Sequence, residues 1–406
     1  MKKVLSAFLA LLLSMSLCAC KSPFGDINKT VSEIADKTGI TYENGIFVKS
    51  KKGDEISKIK PAEISSLAPM SDCYYAISEE EQVIYRYILS IAREMSEGFV
   101  YCGAVTDNFE SDVAIAYRAV LADNPDIFWM PPTYIISTSD SKLCIAFSLD
   151  DDDIKNEYLM NKETRDLYAA KLNEKANLII NSAATKPNDY EKEKYIHDYL
   201  AGNAVYNLDG GDMIFSSYGA IVDGVCVCEG FSRAFQLLLK KLGINSCLVY
   251  GIYQDEGHMW NRVKLGDAWY NVDITWDQDE KIGTLHYYFN IPDSELKVDH
   301  TISPLRTSKN KVDNGQSFNV ILHNCDNSDY WFFNYENRFL TDNLYNTSNI
   351  ILKDFRENKG FSELLGGEYN TEEILNRVAG NVYGEATLKS YSVIRREVLV
   401  FFENTY

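Results

Sequence analysis

Residues 224–243 read GVCVCEGFSRAFQLLLKKLG, and this stretch holds the clearest helix pattern in the chain. The pattern predicts a helix from Glu229 to Leu242 that ends at Gly243, a residue type that readily adopts the left-handed conformation found after helices. Two lysines occupy its last turn, where positive charge is favoured. Apolar residues at helical spacing would form one buried stripe: Phe231, Ala234, Phe235, Leu238 and Leu242. We therefore expect this helix to pack on a hydrophobic core.

Cys228 stands at the start of this predicted helix, between Gly224 and Gly230. The first N–H groups of a helix have no intrahelical acceptor and carry the positive end of the helix dipole, so they favour a thiolate. The same groups could help to stabilise an oxyanion that forms beside the sulfur. A buried structural cysteine is the alternative, and it is the commoner role of a free thiol.

Three strands are predicted after the helix: Cys247–Tyr253, His258–Leu265 and Ala268–Ile274. Gly266-Asp267 separates the last two strands and is typical of a two-residue hairpin turn. Such a turn would set Leu265 opposite Ala268 and Trp260 opposite Asp273. The sequence therefore predicts an antiparallel hairpin with a fixed register.

The register of this hairpin brings His258 next to Asp273. Side chains alternate along a strand, so His258 shares a face with Trp260, and Asp273 is its diagonal neighbour at roughly 7 Å. A carboxylate there can fix the tautomer of the imidazole and stabilise its protonated form. Of the five histidines, only His258 has such a predicted partner. A structural His–Asp pair is the alternative.

These segments resemble the three motifs of the bacterial transglutaminase-like superfamily. The resemblance is carried by YGA (218–220), GVCVCEGFSRAF (224–235), LGI (242–244), GHMWNRV (257–263) and WYNVDITWD (269–277). It covers about residues 190–300. The segment NPDIFW (124–129) is also similar to a region that often precedes this domain in bacterial lipoproteins.

The resemblance implies a papain-like α+β core, in which a helix carrying the nucleophile packs on an antiparallel sheet. It implies Cys228 as the nucleophile, His258 as the base and Asp273 as the residue that orients the base. By the same resemblance, the Glu-Gly-Phe that follows Cys228 indicates that Cys228, and not Cys226, is the nucleophile. Cys226 would then be either an inert small residue or a redox-sensitive neighbour.

Further residues are weaker candidates for the site. Tyr218 could offer its hydroxyl to the oxyanion, with packing as its alternative role, and Trp260 and Trp276 could line the cleft or belong to the core. His197 is interpreted as a structural hydrogen-bonding residue. The chain has no phosphate-binding glycine loop and no metal-ligand cluster, so no cofactor and no metal are expected. The acidic residues within 277–280 are interpreted as a solvated loop.

The chemistry that the resemblance implies is acyl transfer by a thiol. The cysteine attacks an amide carbonyl of a peptide or protein substrate, and an acyl-thioester forms as ammonia or an amine leaves. Attack by water would make the protein a peptidase or amidase, whereas attack by an amine would make it a cross-linking transglutaminase. Hydrolysis is the first expectation. The alternative from another class is a non-catalytic peptide- or protein-binding module with a vestigial triad.

A chain of 406 residues is too long for one ordinary core, so several domains are expected. The overall fold class predicted is α+β, with a mixed α/β N-terminal domain and a small, mostly β C-terminal region of unknown role. The predicted segments are a tether with a small strand pair (20–75), a mixed helical domain (76–184), the transglutaminase-like domain (185–300) and the C-terminal region (301–406). Within the C-terminal region, strands are predicted at Phe318–Leu322 and Tyr330–Phe333, and a hairpin is predicted from Leu388 to Phe402.

Residues 1–19 are similar to a lipoprotein signal peptide. A basic start precedes an apolar run too short to span a bilayer, and Leu17-Cys18-Ala19-Cys20 resembles a lipobox. The resemblance implies cleavage before Cys20 and lipid attachment to it. The protein would be exported and held by its lipid on the bacterial membrane, facing the exterior or the periplasm. A plain secretory signal with an accidental cysteine is the alternative.

The formal net charge is −19, and an acidic surface repels phosphate groups, so a nucleic-acid partner is not expected. The sequence does not indicate an oligomeric state. Seven cysteines follow Cys20, and an odd number leaves at least one thiol outside any intramolecular disulfide.

Overall fold

The fold is known from a computed structural model of the chain. It describes the backbone of residues 41–43 and 46–48, and residues 58–67, 70–96, 98–130, 134–138, 141–147, 161–211, 213–279, 281–306, 318–357, 359–367, 369–383 and 385–402. The predicted signal peptide and Cys20 lie outside these residues. Among the described helices, none is both long and apolar enough to cross a bilayer.

The N-terminal unit packs helices on a five-stranded sheet with the strand order β1-β2-β4-β5-β3. Its elements are β1 (Thr41–Glu43), β2 (Ile46–Val48), α1 (Asp72–Ala76), α2 (Glu79–Glu94), β3 (Val100–Ala104), α3 (Phe109–Asp123), β4 (Ile135–Ser137) and β5 (Lys142–Ala146). A capping box starts α2, because Ser78 and Glu81 each accept the other's backbone N–H. Buried residues of α2, α3 and the strands share one core.

The strand pair of β1 and β2 belongs to this sheet. The sequence predicted a small strand pair within residues 20–75, and β1 and β2 form such an antiparallel pair. β2 also pairs with β4 in parallel, with Phe47 opposite Ile135. A domain boundary at residue 75, as predicted, would therefore divide this sheet, because β1 and β2 precede residue 75 and β3, β4 and β5 follow it.

The transglutaminase-like unit has an antiparallel sheet with the strand order β13-β10-β9-β8-β14. Its elements are α4 (Lys162–Ala183), α5 (Asp189–Asn203), β6 (Val205–Tyr206), β7 (Val225–Cys226), α6 (Cys228–Lys241), β8 (Ser246–Tyr253), β9 (Glu256–Leu265), β10 (Ala268–Val272), β11 (Gln278–Asp279), β12 (Gly283–Thr284), β13 (Phe289–Ile291), α7 (Asp293–Leu296) and β14 (His300–Ile302). Helix α6 packs across β8 and β9. The predicted stripe of α6 faces this core, with Leu242 at its margin. The predicted α+β fold with a papain-like core is confirmed.

The C-terminal region ends in a small unit with its own core. The elements of the whole region are α8 (Phe332–Tyr335), α9 (Leu344–Arg356), β15 (Phe361–Leu365), α10 (Thr371–Val382), β16 (Leu388–Ile394) and β17 (Glu397–Phe402), and the small unit comprises those from α9 onward. The strands form a sheet in the order β15-β17-β16, so the predicted hairpin near the C-terminus is present. Two helices, α9 and α10, give this region more helix than the mostly β prediction allowed.

One strand prediction in this region is wrong. The aromatic run Tyr330–Phe333 was expected to be a strand, but its end forms the short helix α8. The side chains of Trp331, Phe332 and Phe333 are buried in the core of the transglutaminase-like unit. Their apolar character therefore reflects packing against another part of the chain and not a strand periodicity.

Candidate active site

Cys228 is the first residue of α6, which begins one residue before the predicted helix, so the predicted position of Cys228 at a helix start is confirmed. The chain enters the helix through Val227 in an extended conformation. A side chain at Gly230 would place a Cβ 2.4 Å from the carbonyl oxygen of Ile214 and 2.6 Å from the Cβ of Cys226. Glycine is therefore required at this position, because it lets the preceding loop pack against the first turn. This close packing holds the first turn of α6, which begins with Cys228, against that loop.

The hairpin of β9 and β10 has the predicted register. Leu265 lies opposite Ala268, and the pairing continues to Asn261 opposite Val272. The imidazole Nε2 of His258 lies 2.5 Å from Oδ2 of Asp273. The predicted proximity of these two side chains is confirmed.

The sulfur of Cys228 lies within hydrogen-bonding reach of the imidazole of His258. Since Asp273 takes Nε2, Nδ1 is the ring nitrogen left for the sulfur. All three side chains are buried, and Cys228 is only 1% exposed. The structure thus brings together the thiol, imidazole and carboxylate that the sequence singled out.

The buried carboxylate governs the charge of the site. Burial by itself lowers the pKa of His258, but the charge of Asp273 and the hydrogen bond to it outweigh burial and, with Cys228, raise this pKa to about 10. Burial acts to raise the pKa of Asp273, yet the two imidazoles around it hold that pKa well below its usual range. The arrangement therefore favours a protonated imidazole beside an ionised carboxylate.

The second imidazole at Asp273 belongs to His300, which the sequence did not single out. Its Nε2 lies 3.1 Å from Oδ2 of Asp273, and its Nδ1 lies 2.6 Å from Oδ1 of Asp299. The prediction that only His258 has a carboxylate partner is therefore wrong. His300 lies on β14, whose pairing with β8 sets His300 opposite Tyr253. No local pattern reveals that pairing, because the two positions are far apart in sequence.

The C-terminal unit contacts the hydrogen-bond network of the site through Asp299. The Oδ2 of Asp299 accepts a hydrogen bond from the hydroxyl of Tyr288 at 2.8 Å. The same oxygen forms an ion pair with Arg395. Arg395 lies in the turn between β16 and β17 and also donates to the hydroxyl of Tyr253 at 3.1 Å. The C-terminal hairpin therefore braces the outer end of the network that reaches Cys228.

Aromatic rings surround the imidazole of His258. Trp260 is buried and stacks against His258 with ring centroids 6.0 Å apart, and its Nε1 donates to Oδ1 of Asn271. Trp260 therefore supports the imidazole from within the core. Trp276 is 40% exposed and lies at 6.4 Å from the same ring. Of the two tryptophans, Trp276 is the better candidate for a cleft wall.

Tyr218 is packed away from the reactive groups. Its ring stacks on Tyr168 with centroids 4.8 Å apart and contacts Phe128 at 5.1 Å. Among the described contacts of Tyr218 there is none with Cys228 or His258. The packing role that the sequence left open is the one supported here, and the oxyanion role is not.

Cys226 is a buried residue that packs against the glycine of the first helical turn. Burial raises the pKa of its thiol above the usual range, and the neighbouring Cys228 acts in the same direction. This environment supports the inert role for Cys226. No disulfide joins the seven cysteines in the described part of the chain, and all of them are buried.

The acidic stretch after Asp273 is not a solvated loop throughout, contrary to the prediction. Asp277 is fully buried, its Oδ1 accepts the backbone N–H of Tyr288 at 2.9 Å, and its Oδ2 lies 3.1 Å from Nε2 of His197. Its own N–H donates to the carbonyl of Asp273. Asp277 is therefore an internal anchor of the segment that follows the active-site hairpin.

A cysteine at a helix start, opposite a sheet that supplies a histidine and an aspartate, defines a papain-like thiol domain. Residues 177–274 match the transglutaminase-like superfamily. This match supports a thiol acyl-transfer type of enzyme. No curated protein matches the sequence.

Two solved structures are similar to parts of the chain. One is a proposed cysteine protease from Cytophaga hutchinsonii, 17% identical, with a TM-score of 0.25 over 32% of this chain and 41% of that chain. The other is a TGase, 15% identical, with a TM-score of 0.26 over 45% of this chain and 51% of that chain. The matches span about half or less of those proteins, and at these values they carry no argument about activity.

Proposed function

We propose that this protein is a thiol acyl-transfer enzyme that acts on amide bonds of peptides or proteins, with Cys228 as nucleophile, His258 as base and Asp273 as the orienting carboxylate. One observation carries the proposal: the buried contacts that run from the sulfur of Cys228 through the imidazole of His258 to Asp273. The position of the sulfur at the start of α6 adds N–H groups that favour an anion beside it.

The proposed reaction has two halves. In the first, the thiol proton of Cys228 has passed to His258, and the thiolate sulfur attacks the amide carbonyl carbon. The imidazolium then gives that proton to the departing amine, and the enzyme is left as an acyl-thioester. In the second, water attacks the thioester while His258 accepts a proton from it. That proton returns to the sulfur as the carboxylic acid leaves.

We propose hydrolysis rather than cross-linking because the nucleophile is so deeply buried. Cys228 is almost inaccessible, and a lysine side chain of a second protein would have to reach the thioester while the acyl donor is still bound. Water needs far less space. Burial of the nucleophile also supports the second candidate, a binding module whose triad is vestigial, and the experiment must separate the two.

The test of the reaction class uses p-nitrophenyl acetate as a general acyl donor, followed by peptides with glutamine and C-terminal amides. We expect a burst of nitrophenol, an acetyl group on Cys228 in the mass spectrum, and free acid as the main peptide product even when a diamine is present. The matched control Cys226→Ala should keep this activity, and Cys228→Ala should lose it.

Two other results would change the proposal. Amine adducts as the main product would make the protein a transglutaminase. An absence of both burst and acyl-enzyme, with peptides still bound, would favour the binding module.

We also propose that the protein is exported and anchored to the bacterial membrane by a lipid on Cys20. Support comes from the sequence alone, where Cys20 closes an apolar run at the cleavage position. Metabolic labelling with a fatty-acid analogue should mark the wild type and not Cys20→Ser. A wild-type protein that is secreted without label would contradict the anchor.

A further inference from the structure

A second cluster of histidines and carboxylates lies outside the candidate active site. His197 and Asp198 are neighbours on α5, and His286 lies in the segment between β12 and β13. The Oδ1 atom of Asp198 lies 3.0 Å from Nδ1 of His197 and 2.9 Å from Nε2 of His286. These three atoms lie within 4.8 Å of one another. One nitrogen of each imidazole therefore converges on a single carboxylate oxygen.

The other nitrogen of each imidazole is held by a buried carboxylate. Nε2 of His197 lies 3.1 Å from Oδ2 of Asp277, and Nδ1 of His286 lies 2.7 Å from Oε2 of Glu363. Glu363 also accepts the backbone N–H of His286 at 2.8 Å. Metal-binding histidines characteristically pass their second N–H to a carboxylate in this way, since it fixes the ring orientation and makes the ligating nitrogen more basic.

Three carboxylates surround the two imidazoles. Asp198 lies between the rings, and Asp277 and Glu363 each contact the other nitrogen of one ring. A divalent cation bound between the rings would be attracted by these carboxylates.

We propose that His197 Nδ1, Asp198 Oδ1 and His286 Nε2 bind a divalent transition-metal ion of the zinc class, with water as a fourth ligand. Two imidazoles and one carboxylate form a ligand set suited to zinc, whereas calcium and magnesium prefer oxygen ligands alone. Zinc at about 2.0–2.1 Å from each ligand in a tetrahedron requires ligand atoms about 3.3 Å apart. The observed separations of 2.9 and 3.0 Å need to widen only slightly.

Access to this site is provided by Asp198. Its side chain is 38% exposed, while the two imidazoles behind it are buried. An ion and its water ligand can therefore approach from the solvent side of the carboxylate. Lys194 already donates to Oδ2 of Asp198 at 2.6 Å, so its ammonium group would compete with a bound cation. This competition provides a specific test.

The proposed ion has a structural role. It would join helix α5 to the segment that carries His286, and through Glu363 it would tie both to strand β15 of the C-terminal unit. Asp277, which anchors His197, is also bonded to the backbone of Asp273. Binding of the ion would therefore stabilise the segment that follows the active-site hairpin, although the ion takes no part in acyl transfer.

The test measures zinc affinity and stoichiometry by titration calorimetry and elemental analysis on the full mature chain. All variants are made in a Cys228→Ala background, so that the candidate active-site thiol cannot bind the metal. We expect one equivalent of zinc and a higher melting temperature with zinc. The cobalt-substituted protein should show the visible bands of a tetrahedral site without a thiolate charge-transfer band.

Three variants locate the ion. Asp198→Asn should weaken binding by about tenfold or more, because a charged ligand is lost. Lys194→Gln should strengthen binding several-fold, because it removes the competing ammonium group. Lys192→Gln is the matched control: its lysine lies on the same helix but pairs with Asp189, so the affinity should not change.

Any of three outcomes would overturn the metal site. The first is a protein that binds no zinc, and the second is zinc binding that Asp198→Asn leaves intact. The third is a zinc affinity of Lys194→Gln that is no higher than that of the control Lys192→Gln. Thermal unfolding of each variant without zinc checks that it is folded. The result is independent of the acyl-transfer proposal, because the readout is metal content and affinity.

Discussion

His300 and His258 share one oxygen atom: the Nε2 atoms of both imidazoles contact Oδ2 of Asp273, at 3.1 and 2.5 Å. A buried carboxylate that accepts two such bonds is held in a single orientation, because rotation would break both bonds. The reactive thiol therefore lies at one end of a network in which Asp273 is fixed from behind by His300 and Asp299.

The first prediction concerns His300 as a positioning residue. His300→Ala should lower kcat by about tenfold or more, because Asp273 loses a charge-assisted hydrogen bond, while KM should change little. His300→Gln keeps an N–H donor for Asp273 and should recover much of the loss. Steady-state kinetics of both variants checks this. An equal loss in both variants, or a change confined to KM, would contradict a positioning role.

The second prediction concerns the charge of Asp273. In the wild type, the alkaline limb of the pH profile of kcat/KM should lie near pH 10, because the carboxylate raises the pKa of His258 to about 10. Asp273→Asn removes that charge, so the limb should move to lower pH and kcat should fall by up to about ten-thousandfold. A variant with an unmoved alkaline limb would show that another group controls the imidazole.

Stability should change together with activity in this variant. Asp273 is buried and is the acceptor for two imidazoles, so the amide leaves His258 without an anionic partner and leaves His300 with Asp299 alone. Urea unfolding of Asp273→Asn should therefore show a lower midpoint than the wild type. A measurement of kcat per folded molecule separates this effect from the catalytic one.

The third prediction concerns Glu193, a fully buried residue on α5. Its Oε2 accepts a hydrogen bond from Asn290 at 3.1 Å, while Oε1 has no hydrogen-bond partner among the described residues. Burial raises its pKa to about 8, so the folded protein retains a proton that the unfolded chain loses above about pH 4.5. This contribution to stability is complete below pH 4.5 and is lost as the pH rises to about 8.

Glu193→Gln should remove this pH dependence. Between pH 5 and pH 8 the wild type should lose up to a few kcal/mol of its free energy of unfolding that the variant keeps. The variant should therefore gain on the wild type in free energy of unfolding as the pH rises. Urea denaturation at both pH values measures it. Glu191→Gln makes the same change at a partly exposed position on the same helix and should follow the wild type. A parallel pH dependence in Glu193→Gln and the wild type would refute the buried-proton account.

The sequence predicted those parts of the site that depend on local geometry. The start of α6 follows from an apolar stripe that repeats within one helix, and the contact of His258 with Asp273 follows from a turn of two residues. Short-range spacing fixes both: one pattern places Cys228 at a helix start, and a second pattern places His258 beside Asp273. The role of each group in catalysis is a separate matter, and it stays a prediction.

The parts that the sequence did not predict depend on contacts between distant segments. His300 reaches Asp273 only because β14 joins the far edge of the sheet beside β8. Glu363 reaches His286 only because the C-terminal sheet docks on the transglutaminase-like unit. Asp277 looked like a solvated acidic residue because its neighbours are polar, although its partner His197 lies 80 residues earlier on α5. No periodic pattern in the sequence predicts such contacts between distant segments.

The most direct test of the central claim is the reactivity of each cysteine toward a small thiol reagent. All seven cysteines of the described chain are buried, so accessibility alone gives none of them an advantage. Iodoacetamide labelling of the native protein, followed by peptide mass spectrometry, measures the rate at each site. Cys228 should react fastest, and His258→Gln should slow it by about tenfold or more, because the imidazole no longer stabilises the thiolate. Equal rates at Cys228 and Cys226, or a rate at Cys228 that is indifferent to His258, would contradict the central claim.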